Sequence, residues 1–258
     1  MKKFELTDEF VINDLGKKLF RIRALEKFGN VKAGEVGGFL EKEENLAQDG
    51  TAWVYGDAEV WGDAEVWGDA KVCGNAEVWG DAKVWGNAKV YGDAEVWGDA
   101  EVCGNAEVWG DAKVCGNAEV WGDAKVCGNA KVWGNAKVYG NAKVWGNAKV
   151  YGDAEVYENA KVCGDAEVCG DAEVCGNAEI YGNLDYTYIH GFGSEQRTTT
   201  FYRQKDGTVG VKCGCFTGNL QEFREKVKET HRSSKYAKEY LMVADLMELH
   251  FKEELENG

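Results

Sequence analysis

The chain has 258 residues, 44% hydrophobic and 29% charged, with 34 Gly, no Pro and a net charge of −15. That composition excludes a generically disordered chain, and so large an acidic excess works against binding a nucleic-acid backbone. No run approaches the roughly 18 apolar residues of a membrane span, and the start, Met1-Lys2-Lys3-Phe4-Glu5, lacks the apolar run of a secretory signal, so the expectation is a cytoplasmic protein with neither a membrane nor a nucleic-acid partner.

Residues 1–50 form the first unit. Segments 3–7, 9–12 and 19–25 read as short strands, with Asn13-Asp14-Leu15-Gly16 as a turn. Gly37-Gly38-Phe39-Leu40 then leads into the repeats. This unit is expected to be a β cap that covers unpaired strand edges.

Residues 51–182 are 22 consecutive hexapeptides of the form [Asp/Asn]-Ala-[Glu/Lys]-Val-[Trp/Tyr/Cys]-Gly, without insertion or deletion. Ala holds the second place in all 22; Val holds the fourth in 21, and Ile180 takes the remaining one. Gly closes 21 units and Glu158 closes the other. A helical solenoid needs repeats of about 30 residues or more. A strict period of six therefore predicts a mainly β fold, a parallel β-helix (β-solenoid), with one short strand and one corner per hexapeptide.

Side chains alternate across a strand, so either Ala and Val face inward, or the charged and aromatic residues do. Burying unpaired Lys and Glu is prohibitive. Ala and Val are thus expected to line the interior, and Trp, Tyr, Cys, Glu and Lys to face outward. Gly and Asp/Asn make the corners because they tolerate positive φ best. The repeated core is thin, so ladder hydrogen bonds and Asn corner stacking must add to it.

Two coil sizes remain open. Three hexapeptides per turn give a triangular coil and a rod of roughly 35 Å. Two per turn give a flat coil, and the identity of 105–116 with 117–128 is compatible with that. Sorted by twelve, one column holds Trp85, Trp97, Trp109, Trp121, Trp133 and Trp145, the candidate aromatic ladder. The same sorting would stack Cys103, Cys115 and Cys127 near disulfide distance, whereas an eighteen-residue turn separates them. Nine Cys in all, seven of them interchangeable with aromatics, suit a reducing compartment.

Residues 183–258 form the third unit. Segments 198–204 and 208–216 flank Lys205-Asp206-Gly207 as a hairpin. A helix near 219–231 places Leu220, Phe223 and Val227 on one face. A second, after Ser233, carries Tyr236, Tyr240, Val243, Ala244, Met247 and Phe251 at helical spacing. The expectation is a ββαα cap, with Tyr236, Tyr240, Met247 and Phe251 as a candidate contact surface.

The array resembles the left-handed parallel β-helix of hexapeptide proteins, in which three hexapeptides make one triangular coil. Lys3-Phe4-Glu5-Leu6-Thr7, Gly37-Gly38-Phe39-Leu40-Glu41-Lys42-Glu43, the Gly-Asn-Ala-Lys-Val-Tyr repeats and Val211-Lys212-Cys213-Gly214-Cys215-Phe216 together resemble hexapeptide-repeat proteins of phages and prophages. The resemblance implies a left-handed, three-sided coil and little chemistry. Hexapeptide acyltransferases are the enzymes of similar shape; they need a catalytic His between subunits and loops for coenzyme A. Here the array has no His and no loop, and His190, His231 and His250 all follow it.

The expected function is therefore non-enzymatic binding or scaffolding. The aromatic ladder and the terminal helices would contact a second copy or a host protein. No catalytic residue, metal or cofactor is expected. Asp63, Asp81 and Asp99 would stack as acidic corners in an eighteen-residue coil, but match no known calcium loop. The array's 23 acids against 10 Lys raise a second reading, a duplex-mimicking inhibitor of a host DNA-processing or defence protein. An acyltransferase-like enzyme is a distant third.

Overall fold

A computed structural model describes residues 2–252. The expected C-terminal unit extends to residue 258, and its residues 253–258 lie outside the described ones, as does Met1 of the first unit.

The N-terminal cap opens with an antiparallel pair, β1 (Phe4–Ile12) and β2 (Lys18–Ala24), followed by β3 (Val36–Leu40). Segments 3–7 and 9–12 are one strand rather than two; its register slips between Leu6 and Phe10, so the chain bends without leaving the ladder. β3 then pairs in parallel with the repeats, Leu40 lying beside Val60. Leu46 bridges to Val66 in the same sense. The chain is thus already coiling before the first hexapeptide.

The array contributes 22 strands, β4 to β25, from Trp53–Val54 to Glu179–Ile180. They sort into three parallel sheets. Within each sheet the partner lies 18 residues away, as in Val90↔Val108 and Val108↔Val126. Three hexapeptides therefore make one turn, and the flat twelve-residue coil is excluded. Backbone N–H groups donate to the next turn at every residue that faces it, for example Lys83 to Ala100 at 2.9 Å and Trp85 to Val102 at 3.0 Å.

The array's inward residues are Ala and Val, with Ile180 in the last unit, and every one is buried. The corners explain the fixed Gly. Gly98 has φ +73, and a Cβ there would lie 3.0 Å from the Gly116 nitrogen of the next turn. Both the dihedral and the stacking exclude a side chain. Glu158 breaks this rule with φ +59. It compensates by accepting a bond from the Gly176 N–H at 2.7 Å.

Corner amides link successive turns. Asn87 donates to Asn105 at 3.0 Å, and Asn105 to Asp123 at 3.0 Å. Each such bond satisfies an exposed amide and fixes the register of stacked corners.

Both ends are closed. At the start, Phe4 and Phe28 pack their rings against Trp53, which is 0% exposed. Trp53 occupies an outward position, and the cap buries it. The Lys3 ammonium donates to the Ala52 and Asp49 carbonyls at 3.0 and 3.2 Å, and burial lowers its pKa to about 8.

At the far end the last turn has N–H groups with no following turn. Asn183 accepts from the Glu167 N–H, the Tyr186 hydroxyl from that of Cys169, and the Thr200 hydroxyl from that of Glu173. Tyr186 and Thr200 belong to an antiparallel sheet of β26 (Tyr186–Ile189), β27 (Thr199–Arg203), β28 (Val209–Cys213) and β29 (Phe216–Asn219). The expected hairpin is two strands of this sheet. Segment 208–216 does not run straight, because Gly214 at φ +57 turns the chain between β28 and β29. Cys213 and Cys215 consequently do not share a strand face.

Tyr202 faces the array core, while its neighbour Phe201 faces two helices. These are α1 (Leu220–His231) and α2 (Lys235–Lys252). Asn219 caps α1, exchanging bonds with Glu222 in a capping box.

Candidate functional site

The outward positions form three columns, one per sheet, with one residue per turn. The sheet containing Val60 carries Trp61, Trp79, Trp97, Cys115, Trp133 and Tyr151 in succession. Trp61 and Trp79 stack at 4.9 Å between ring centres, and Trp79 and Trp97 at 5.0 Å. After the interruption at Cys115, Trp133 stacks on Tyr151 at 4.4 Å. The sheet containing Val66 has Trp67 on Trp85 at 5.0 Å, then Cys103, then Trp121 on Tyr139 at 4.3 Å. The third has Tyr91 on Trp109 at 5.6 Å, then Cys127, then Trp145.

The six-residue ladder expected from the twelve-residue sorting is therefore not one column. Trp85 and Trp121 lie on one face, Trp97 and Trp133 on another, and Trp109 and Trp145 on the third. Cys103, Cys115 and Cys127 separate onto different faces as well, and all are free thiols. Stacking changes the surface too. The outward Trp rings are half-buried by their neighbours, and Trp61 is buried under Leu19 and Phe39 of the cap. Only Tyr181, in the last unit, is exposed among the outward aromatics of the array.

Asp63, Asp81 and Asp99 do stack at one corner, and Lys42 pairs with Asp63 at 2.6 Å. That ammonium holds the Asp63 carboxyl below its usual range. Among the described residues, no three or more His, Cys, Asp or Glu side chains converge in a way that could hold a metal ion.

Lys and Glu run beside the rings and pair between turns. Lys89 reaches Glu107 at 2.8 Å, Lys113 reaches Glu95 at 2.7 Å, and Lys161 reaches Glu179 at 2.8 Å. The charge is banded along the rod. Residues 51–104 hold eleven acids against three Lys, 105–152 hold four against six, and 153–182 hold eight against one. The middle of an acidic rod is cationic.

The outward thiols respond to burial. Cys103 is pushed up to about 11, first by burial and then by the carboxylates of Glu101 and Glu119. Cys73, Cys115, Cys127 and Cys163 shift upward for the same first reason. A thiol that ionises later in the folded chain than in the unfolded one stabilises the fold below the unfolded pKa. That contribution is lost as pH rises from about 9 through 11. Lys3 acts oppositely, because its lowered pKa penalises the fold less as pH rises above about 8. The melting temperature of the parent is therefore expected to fall more steeply between pH 9 and 11 than that of a variant lacking the Cys103 thiol. Cys103→Ala should remove about 1–2 kcal/mol of that dependence, after discounting for solvent screening. Thermal unfolding by circular dichroism checks this, and identical pH profiles for parent and variant would refute it.

At the C-terminus the helices behave differently from expectation. Tyr240, Met247 and Phe251 are buried in the core between α1, α2 and the sheet. The sequence pattern marked the face that packs inward, which is why it cannot be a contact surface. Tyr236 is exposed. The free face of α2 instead carries Met242, Leu246 and Leu249, at spacings of four and three. That spacing was legible in the sequence, but the stronger inward stripe masked it.

A cleft of about 330 Å³ lies between α1, α2 and the sheet, lined in part by Arg197, Cys213, Cys215, His231 and Tyr240. The His231 and Tyr240 rings sit 5.5 Å apart. His190 bonds Thr198 through Nδ1 at 3.0 Å. His250 packs edge-on against Phe251. No helix among the described residues is long and apolar enough to cross a membrane. No family model matches the chain, and comparison with curated proteins finds no match.

Proposed function

We propose that the protein is a non-enzymatic, cytoplasmic scaffold: a capped β-solenoid that self-associates through the outer face of α2. One observation carries this reading. Met242, Leu246 and Leu249 are 72%, 56% and 57% exposed on one side of a single helix, an apolar stripe of the kind that marks an interaction site. The helix is held rigidly from behind by Tyr240, Val243, Ala244 and Met247. Two copies packed across a two-fold axis would bury identical stripes against each other. The acidic excess argues for a neutral apolar contact of this kind over attraction to an anionic partner.

The stacked columns support the scaffold rather than the contact, since their rings already cover one another. The duplex-mimic reading requires continuous negative charge along the rod, and the cationic middle interrupts it. The acyltransferase reading requires a catalytic His between subunits and loops that leave the prism, and the array supplies neither.

Sedimentation velocity at rising concentration tests the proposal. A dimer is expected, and the paired substitution Met242→Glu with Leu246→Glu should weaken it by roughly thirtyfold or more, the effect of removing interface anchors. Both sites are exposed, so the fold should survive. A strict monomer, or a dimer indifferent to the substitutions, would overturn the reading.

A further inference from the structure

The interruption at Cys115 has the dimensions of a missing ring. Its walls, Trp97 and Trp133, are two strand spacings apart, roughly 9.6 Å. In the same column Trp61, Trp79 and Trp97 follow one another at 4.9 and 5.0 Å. One planar group inserted over Cys115 would therefore continue the stack at the column's own pitch. Both walls are held in place beforehand. Trp97 lies parallel to Trp79 within 2°, and Trp133 parallel to Tyr151 within 5°. A guest would not have to order them.

The charge beside the gap is positive. The opening is a cleft of about 390 Å³ lined by Trp97, Lys113, Cys115, Lys131, Trp133 and Lys149. That volume falls within the range of small-molecule sites. Lys113 is committed to Glu95 at 2.7 Å and Lys149 to Glu167 at 2.5 Å. Lys131, between them, has no ion-pair partner among the described residues, and it sits beside Trp133 in the cationic middle of the rod.

We propose that this gap is a binding slot for a small planar aromatic anion. The ring enters edge-on over Cys115, stacks between the indoles of Trp97 and Trp133, and places its negative group at Lys131. The slot is separate from α2 and does not depend on self-association.

The other interruptions act as internal controls. The gap at Cys103 has equally fixed walls, Trp85 on Trp67 and Trp121 on Tyr139. Glu101 and Glu119 flank it, however, and repel an anion. The gap at Cys127 has Lys125 and Lys143 beside it, but its wall Trp145 has no stacked neighbour to fix it.

Calorimetric titration of the full chain with naphthalene-2-sulfonate tests the slot. Saturable binding is expected. Cys115→Trp should fill the gap and weaken binding by roughly tenfold or more, the value of two aromatic stacks. Cys103→Trp should leave it unchanged. Trp already occupies nine of the 22 equivalent positions, so both variants should fold, and circular dichroism checks that they do. Lys131→Gln, at an exposed position, should weaken binding by about threefold and reduce its salt dependence. Binding that survives Cys115→Trp, absence of saturable binding, or indifference to Lys131→Gln would each overturn the assignment.

Discussion

Val120→Asp is expected to abolish the folded array. Val120 is fully buried, in register with Val102 below and Val138 above. The lumen around it contains only aliphatic side chains, so a carboxylate there finds no donor. Burying an unpaired charge costs several kcal/mol even after relaxation, and a protonated carboxyl still lacks a partner. Because each turn contacts only its neighbours, the break falls mid-rod and leaves two short stacks with raw edges. A loss of more than about 4 kcal/mol is expected in urea unfolding, against about 2 for Val120→Ala. If the aspartate variant unfolded within about 1 kcal/mol of the parent, the inward assignment of Val would be wrong.

Trp53→Ala should have the second largest effect, a loss of about 3–5 kcal/mol. Its ring is the keystone between array and cap, touched by Phe4 and Phe28 at 6.1 and 5.3 Å. Deleting it leaves a cavity at the edge where the first turn would otherwise meet solvent. Hydrogen exchange should therefore quicken first in the N-terminal strands and the opening turns. The indole nitrogen of Trp53 is buried without a hydrogen-bond partner. Trp53→Phe discards that unsatisfied donor, which is worth about 1–3 kcal/mol, and should cost much less than the alanine. Equal losses for Phe and Ala would show that the ring is not what holds the cap.

The array was legible in the sequence because its alternatives were so unequal in cost. With Lys and Glu at one parity and Ala and Val at the other, only one side could face inward. The turn size was harder. Duplicated twelve-residue blocks imitate a twelve-residue coil, and they drew Trp85 to Trp145 into one column that the eighteen-residue register divides among three. Identity between segments reports how the sequence is patterned, whereas register depends on how many corners close a turn.

Trp53 was hidden for a related reason. It occupies a position that is charged in the other units, and only the cap folding over it makes it core. In α2, both faces carry apolar residues, and a periodicity argument selects the denser stripe. That stripe faces Phe201 and Phe223 and is therefore spent on packing. The sparser one stays free. The slot at Cys115 could not be seen before the columns were known, because a Cys among aromatics acquires meaning only from what stacks above and below it.

The first and last strands of the array belong to the same sheet. Twenty-two units complete seven circuits and return to the starting sheet, so the chain enters and leaves the array on the same side. Adding or removing eighteen residues would change only the spacing between the two ends. Adding six or twelve would also swing one end around the axis by a third or two-thirds of a revolution. The repeat count thus sets an azimuth as well as a length, and a twelve-residue duplication turns the helical end to point in a new direction.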